Sequence, residues 1–550
     1  MDYRHTGSNE AASGVELAAG TVNSAQEARV SKVLSKAASL HLEGKVADAA
    51  GELARALDNG ERHPALYFAL GQLQYELQDY LPASQSYAQA ALLQPLHPTA
   101  YFNTGVCLGR LERWEEAADS FKKAISNDPA RLEAHLALGA CLVQLGRYNE
   151  ALDAYDRFLA RHPDHDEALF GKAVALQKRE RTNEAVDLYR RILNRNPQSE
   201  EALSNLVSLS LANQDYQQVR KFAQRLAEVQ PKSQIALEGL AGAAFAAGDH
   251  ASAADYSRKL AELAPQVFEN WFNLGVACHK AGDLANAAKA YARAAKVQPD
   301  SPQAHLNLGV ALQEQGDLKG AREAYERALE IDGKLAGAHW NLGLVYEQAG
   351  DFAAAEKLYA QVPQDSPDAD DAAFRIGHLR LQRSDYPGSI QAFELCLQRR
   401  PNWPEARLNL GIANWRAGNK DAARACFQEL TTSGADSREA LRGLAALSLE
   451  NNEYDRAFEI YRQLLDAGDR SPELLYNAAL ICQKRGEAAD AAVLYKEALK
   501  ADPQFGEALL NLGHAHMTLG NAVEARSCWR KAVIAKPELA QRYFEPAQVG

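Results

Sequence analysis

Basic charge is scarce in this chain: 60 lysines and arginines stand against 72 acids, a formal net charge of −12. Binding to nucleic acid needs a basic footprint for the phosphates, so none is expected here. Long apolar runs are missing too. Nothing resembles a signal peptide or a membrane span, which points to a cytoplasmic location without membrane insertion. Methionine occurs only twice in 550 residues. The seven cysteines (Cys107, Cys141, Cys278, Cys396, Cys426, Cys482 and Cys528) show no metal-ligand spacing. Each stands where other segments place a small or aliphatic residue, so they read as buried small hydrophobes. His514 and His516 are two apart on a helix and point to different sides, so they cannot share a metal. His162 and His165 read as parts of a solvated turn. A Gly-rich phosphate loop and a nucleophile elbow are also lacking. The chain is expected to be no enzyme and to use no cofactor and no metal.

What the chain has is periodicity. Its punctuation recurs every 34 residues from Val30 to Leu539, fifteen times in one register without insertion or deletion. Thirteen repeats carry Ala at position 20, twelve an aromatic at position 24, eleven Pro at position 32 and nine Gly at position 8. Position 15 is often Gly followed by Asp, as in Gly316-Asp317 and Gly350-Asp351. Gly closes one helix in a left-handed conformation, and Asp accepts hydrogen bonds from the open N–H groups of the next. Between these marks apolar residues recur at helical spacing, as in Leu306, Leu308 to Val310, and Leu312. Each repeat therefore reads as helix, tight turn, helix, tight turn, and the fold class as all-α. Small residues at positions 8 and 20 let the two helices approach, and the aromatic at position 24 fills the space beside them.

The pattern Trp271-x-x-Leu274-Gly275, Ala287, Tyr291, Ala294 and Pro299 resembles the tetratricopeptide repeat. That resemblance implies a right-handed α-solenoid of about fifteen repeats, with a groove lined mainly by first helices. The expected organisation is a disordered polar leader (1–29), a continuous solenoid (30–539) and a short C-terminal cap helix and tail (540–550). Ala223 and Ser257, standing where an aromatic is usual, mark a joint with less to pack. His135, His305 and His339 share position 4 and are expected to pack inside the first helix.

On the first helix, positions 2, 5, 9 and 12 make one face, flanked by position 6. Position 6 is Asn in eight repeats: Asn103, Asn205, Asn273, Asn307, Asn341, Asn409, Asn477 and Asn511. An amide offers both donor and acceptor, so a row of them could pair with a peptide backbone whatever its sequence. Such a row is similar to the asparagine ladder in the superhelix of O-GlcNAc transferases, although Arg375 and Gly443 interrupt it. The other reading is that Asn serves the repeat itself. Beside it stand Phe102, Phe272, Trp340, Phe374 and Tyr476 at position 5 and Trp415 at position 12. These are either anchors for a partner's side chains or covers for the seams between repeats. The stretch from Asn273 to Trp340 holds both ingredients.

Acids outnumber bases on the groove positions, and position 2 alone is Glu or Asp in nine repeats. These acids also complement the dipole at helix N-termini. The balance favours neutral or basic peptide segments. Position 5 is never Lys and position 9 never Asn, which excludes a clamp for an acidic chaperone tail. The expected function is a non-catalytic scaffold that holds extended or helical segments of other proteins. The alternative is the substrate-recognition subunit of a glycosyltransferase whose catalytic part lies on another chain.

Overall fold

The computed structural model describes residues 24–432 and 438–540. Among them are thirty α-helices and no strand. They fall in two halves, Met1–Ala281 and Gly282–Gly550. The first holds α1 (Ser24–Leu42) to α15 (Phe268–Lys280), the second α16 (Leu284–Val297) to α30 (Ala522–Ala535). Within each half, every helix packs on the next along the chain.

One repeat shows why the chain folds so. α17 (Pro302–Glu314) opens on Ser301, whose hydroxyl accepts from the Ala304 N–H at 3.3 Å, with Pro302 at its first position. Gly316 then turns the chain at φ +86°, and Asp317 accepts from the Gly320 N–H at 3.0 Å to start α18 (Leu318–Ile331). Asp215, Asp249, Asp283, Asp351 and Asp385 cap their helices in the same way. Where position 15 is not Gly, Gln78, Glu112, Glu180, Gln214, Ser384 and Asn452 take the same left-handed turn. The turn is thus retained even where a Cβ makes it cost about 1–2 kcal/mol.

Where position 8 is glycine, the position-24 ring lies against it, as at Gly71, Gly105, Gly343 and Gly377. A methyl group added at Gly139 would overlap the Tyr155 ring, and one at Gly309 would overlap that of Tyr325. Tyr87, Tyr155, Tyr189, Tyr325, Tyr359 and Tyr495 are the large, fully buried side chains of this layer. At the joint marked by Ala223 the packing is complete: Ala223 is buried, and Val207 occupies position 8 in place of Gly. Bulk moved from one helix to the other.

Four features differ from the sequence reading. The first helix begins at Ser24, so the leader is shorter than 29 residues on its C-terminal side; Val30 is already buried. Glu27 in the first turn suits the helix dipole there. Second, α20 (Phe352–Tyr359) has eight residues where α18 has 14, because Pro363 cannot donate within the third turn. Third, the acidic run Asp365 to Asp371, which lacks the Gly and terminal Glu of a calcium loop and reads from sequence as a solvated loop, is only partly loop. α21 (Ala369–Gln382) starts within it, and Asp370 meets Arg399 at 3.3 Å. Fourth, position 4 does more than pack. Trp271, His305, His339 and Arg407 donate to the carbonyls of Pro265, Pro299, Gly333 and Pro401 at 2.6–3.2 Å, each tying a repeat to the one before. Of the expected cap helix and tail (540–550), residues 541–550 lie outside the described residues, as do residues 1–23 of the leader. No helix among the described residues is long and apolar enough to cross a membrane.

The last repeat carries a pH dependence. In α29 (Gly506–Thr518), burial lowers the pKa of both His514 and His516 below the ordinary value. A depressed pKa favours folding above the unfolded value, about 6.5, and that contribution is lost as pH falls through the folded value. Amide exchange in α29, corrected for intrinsic rates, is expected to accelerate between about pH 7 and 5. In a His514→Asn/His516→Asn variant the acceleration should be absent.

Candidate functional site

Position 6 lies at the seam between repeats, over the position-24 ring of the preceding one. A methyl at Gly171 would overlap the Tyr155 hydroxyl, and one at Gly443 would come within 2.7 Å of the Phe427 ring. Three of the asparagines meet the same surroundings. Asn477 hydrogen-bonds the Tyr461 hydroxyl and Asn511 that of Tyr495. Asn511 also donates to the Tyr476 hydroxyl at 3.0 Å. Asn103 is only 8% exposed, beside Tyr87. Asn205 and Asn409 donate to the carbonyls of Glu201 and Glu405 in their own helices, at 2.9 and 2.8 Å. Asn273 is exposed in the first half, whereas Asn307 and Asn341 are half-buried in the second.

A third position completes the seam, and sequence reasoning missed it. The buried tyrosine hydroxyl donates to position 12 of its own repeat: Tyr189 to Gln177 at 3.2 Å, Tyr325 to Gln313 at 2.7 Å and Tyr495 to Gln483 at 3.0 Å. Gln at 12, Tyr at 24 and Asn at the following 6 form a polar set at Gln483, Tyr495 and Asn511, and the same residue types recur at Gln313, Tyr325 and Asn341. Arg375, which interrupts the asparagine row, belongs to a charged version of it. Tyr359 donates to Glu347 at 2.7 Å, and Arg375 pairs with the same carboxylate at 3.1 Å. Burial, and then the Glu347 carboxylate, push the Tyr359 hydroxyl far above its usual range, so it remains a donor.

Position 5 covers the same rings. Phe102, Trp340, Phe374 and Tyr476 lie 5.4–5.8 Å, centroid to centroid, from Phe121, Tyr359, Phe393 and Tyr495. Phe272 stacks on Phe268 at 5.4 Å. Trp415 donates its indole N–H to Glu450 at 3.2 Å. Position 34, read from sequence as mere turn, supplies a second aromatic layer. His97 lies against Phe68 at 5.2 Å, Trp403 against Phe374 at 4.9 Å and Phe505 against Tyr476 at 5.0 Å. The repeat of large rings at position 34 was the available signal.

Three of the expected residues meet in one place in the second half. Trp340, Phe374 and Asn409 line an open pocket of about 570 Å³ together with Asp371, Arg375, His378, Trp403 and Glu405. Phe374 and Trp403 are nearly parallel, 22° apart, and the Arg400 guanidinium stands 4.1 Å from the Trp403 ring centre. Arg375 is turned toward Glu347, and Asp371 faces Arg400 at 3.7 Å. The Asn409 amide nitrogen is used within its helix, which leaves its carbonyl oxygen to the pocket. Such a site offers apolar walls, an amide acceptor and carboxylates: the means to hold a side chain and part of a backbone.

Among the described residues, no group of three or more His, Cys, Asp or Glu side chains could hold a metal ion. Burial pushes the Cys107, Cys141 and Cys396 thiols up to about 12 and Cys482 to about 11, so these cysteines stay protonated near neutrality.

This is a helical repeat protein, and the chain belongs to the tetratricopeptide repeat family. Two models of that repeat match it, one at residues 75–131, 136–200, 273–336, 374–432 and 408–472, the other at 176–243, 312–375 and 483–543. Proteins of this family typically mediate protein–protein interactions. No curated protein matches the chain. Among solved structures it is similar to YrrB, a protein of the same repeat described as having an unusual peptide-binding site, at 21% identity over 34% of this chain and 96% of that one (TM-score 0.31). It is also similar to PilF of Pseudomonas aeruginosa, at 22% identity over 36% and 90% (TM-score 0.30). A third is the Naa15/Naa10 complex bound to HypK-THB, at 12% identity over 94% and 96% (TM-score 0.33).

Proposed function

We propose that the protein is a non-catalytic scaffold that holds an extended peptide segment of a partner against its first helices, with the pocket of Trp340, Phe374 and Asn409 as an anchor. The observation that carries this reading is convergence. Three residues singled out in the sequence, on three successive first helices, line one pocket. The half-buried aromatic rings supply the low-entropy contact area typical of binding hot spots, and Asn409 supplies a backbone acceptor. Asp371 and Glu405 on the rim favour neutral or basic segments over acidic ones.

The test is selection of a random dodecamer phage library on the full-length chain. Enriched peptides are expected to contain large apolar or basic residues and few acids. Trp340→Ala is expected to weaken them about 30-fold, the effect of truncating a hot spot worth about 2 kcal/mol. Because Trp340 also touches Tyr359, Asn409→Ala serves as the second variant. It should lower affinity about threefold to tenfold, as loss of one hydrogen bond does, with melting unchanged. Peptides that bind both variants as well as the parent place the anchor elsewhere. Failure to enrich any peptide overturns the scaffold reading.

A further inference from the structure

The anchor pocket of the second half discriminates among side chains, because the charges along its walls do not cancel. Arg375 pairs with Glu347 at 3.1 Å, and Asp371 has Arg400 at 3.7 Å. His378 accepts from the side-chain amide of Gln382 at 3.0 Å, an arrangement in which its ring carries no charge. That leaves Glu405, exposed and without an ion-pair partner among the described residues. The remaining polar group, the Asn409 carbonyl oxygen, is also an acceptor, since its amide nitrogen is bound to the Glu405 carbonyl at 2.8 Å. Around these acceptors stand rings. Trp403 already carries the Phe374 ring at 4.9 Å and the Arg400 guanidinium at 4.1 Å. Trp340, half-buried, meets a single ring, Tyr359 at 5.4 Å, and so keeps π surface for a guest.

We propose that the pocket takes an arginine side chain of the partner segment, its guanidinium against the Trp340 ring and its N–H groups toward Glu405 and Asn409. The proposal rests on the reading that this pocket anchors a peptide, and it names the residue that the anchor receives. A cation is drawn both by the ring quadrupole and by the one unpaired carboxylate. An acidic side chain would meet Glu405 with no wall donor left to receive it. Arginine is favoured over lysine because its guanidinium is planar, weakly hydrated and presents a fork of N–H donors, which suits acceptors set beside a flat ring. The chain shows the same preference within itself. Arg131, Arg400 and Arg485 stand 4.1–4.7 Å from ring centres and Arg416 at 5.9 Å, whereas Lys123, Lys221 and Lys259 lie 5.4–5.9 Å away. Arg400, between the Trp403 ring and the Asp371 carboxylate, is the proposed arrangement built from the chain's own residues.

The experiment uses the full-length chain labelled with 5-fluorotryptophan, the Trp340 resonance being assigned by its loss in Trp340→Phe. N-acetyl-arginine amide is titrated beside N-acetyl-citrulline amide, which has nearly the same shape without the charge, and N-acetyl-lysine amide. The arginine compound is expected to shift the Trp340 resonance saturably, and the citrulline compound about tenfold more weakly, having lost both the cation–π contact and the ion pair. The lysine compound should fall between them. Glu405→Gln keeps the shape of the pocket and should weaken the arginine compound about threefold to fivefold, the effect of one exposed ion pair, while leaving citrulline unchanged. The comparison of arginine with citrulline needs only the parent chain, so it stands whether or not a variant folds. No saturable shift, equal binding of citrulline, tighter binding of lysine, or parent-like arginine binding in Glu405→Gln would each overturn the assignment. Its fate is separable from that of the scaffold. Selected peptides that lack arginine and leave the Trp340 resonance in place remove the arginine site and keep the scaffold; arginine-amide binding without any selected peptide does the reverse.

Discussion

Replacing Tyr325 by Ala is expected to destabilise its repeat by about 3–5 kcal/mol, the cost of removing a buried aromatic ring. The ring is fully buried among Ala321, Leu342 and Val345 and lies on Gly309, which has no side chain to move into the gap. The deletion therefore leaves a cavity bounded by backbone on one side. It also removes the hydroxyl that Gln313 accepts at 2.7 Å. Tyr325→Phe separates the two terms: it keeps the ring and loses the hydrogen bond, an effect of about 1 kcal/mol. In a repeat array each unit contacts mainly its neighbours, so the damage should be local. Hydrogen exchange should quicken across α17, α18 and the following first helix, Ala336–Gln348, while α29 keeps its rates. Unchanged exchange in those three helices would show that the position-24 ring is not what holds a repeat together.

The repeat length, the capping residues and the burial of positions 8, 20 and 24 were legible because each is a local choice repeated fifteen times. Ser301, Gly316 and Asp317 act within three residues of where they stand, and their chemistry can be read without knowing the neighbour. The chemistry of the seams was less legible. Tyr495 reaches Gln483 twelve residues back and Asn511 sixteen residues on. Helical spacing alone assigns position 6 to a flank of the groove without saying what lies beneath it. Arg375 looked like a break in the asparagine row because Glu347, its partner, was read as one groove acid among many. Trp403 was overlooked because it sits in a turn, where periodicity carries no information. Trp340 and Phe374 stand at a helical position, where periodicity does carry information, and the structure shows each of them covering the ring below it.

The joint at Ala223 offers the sharpest test of that packing logic. Gly139, Tyr155 and Gly171 occupy positions 8, 24 and the following 6 in the fourth and fifth repeats. Val207, Ala223 and Gly239 occupy the same places two repeats later, and a methyl at Gly239 would come within 2.8 Å of Val207 and 3.1 Å of Ala223. The two joints have the same glycine beyond and differ in which helix carries the bulk. Ala223→Tyr alone forces a ring into a filled, fully buried place and is expected to cost about 3 kcal/mol, the upper end for overpacking. Val207→Gly alone opens a cavity and adds the helix penalty of glycine, about 2–4 kcal/mol together. Combined, the ring should drop into the space the valine left, over Gly239, as Tyr155 does over Gly171. The double variant should then melt within a few degrees of the parent, a coupling of opposite sign that cancels most of the roughly 5–7 kcal/mol lost in the two single variants. Guanidinium unfolding of the four proteins, with hydrogen exchange read in Glu200–Ala212 and Gln234–Ala246, measures it. Additive losses would mean that the backbones at this joint are set to a spacing of their own, and that bulk at positions 8 and 24 is not exchangeable between the helices of a repeat.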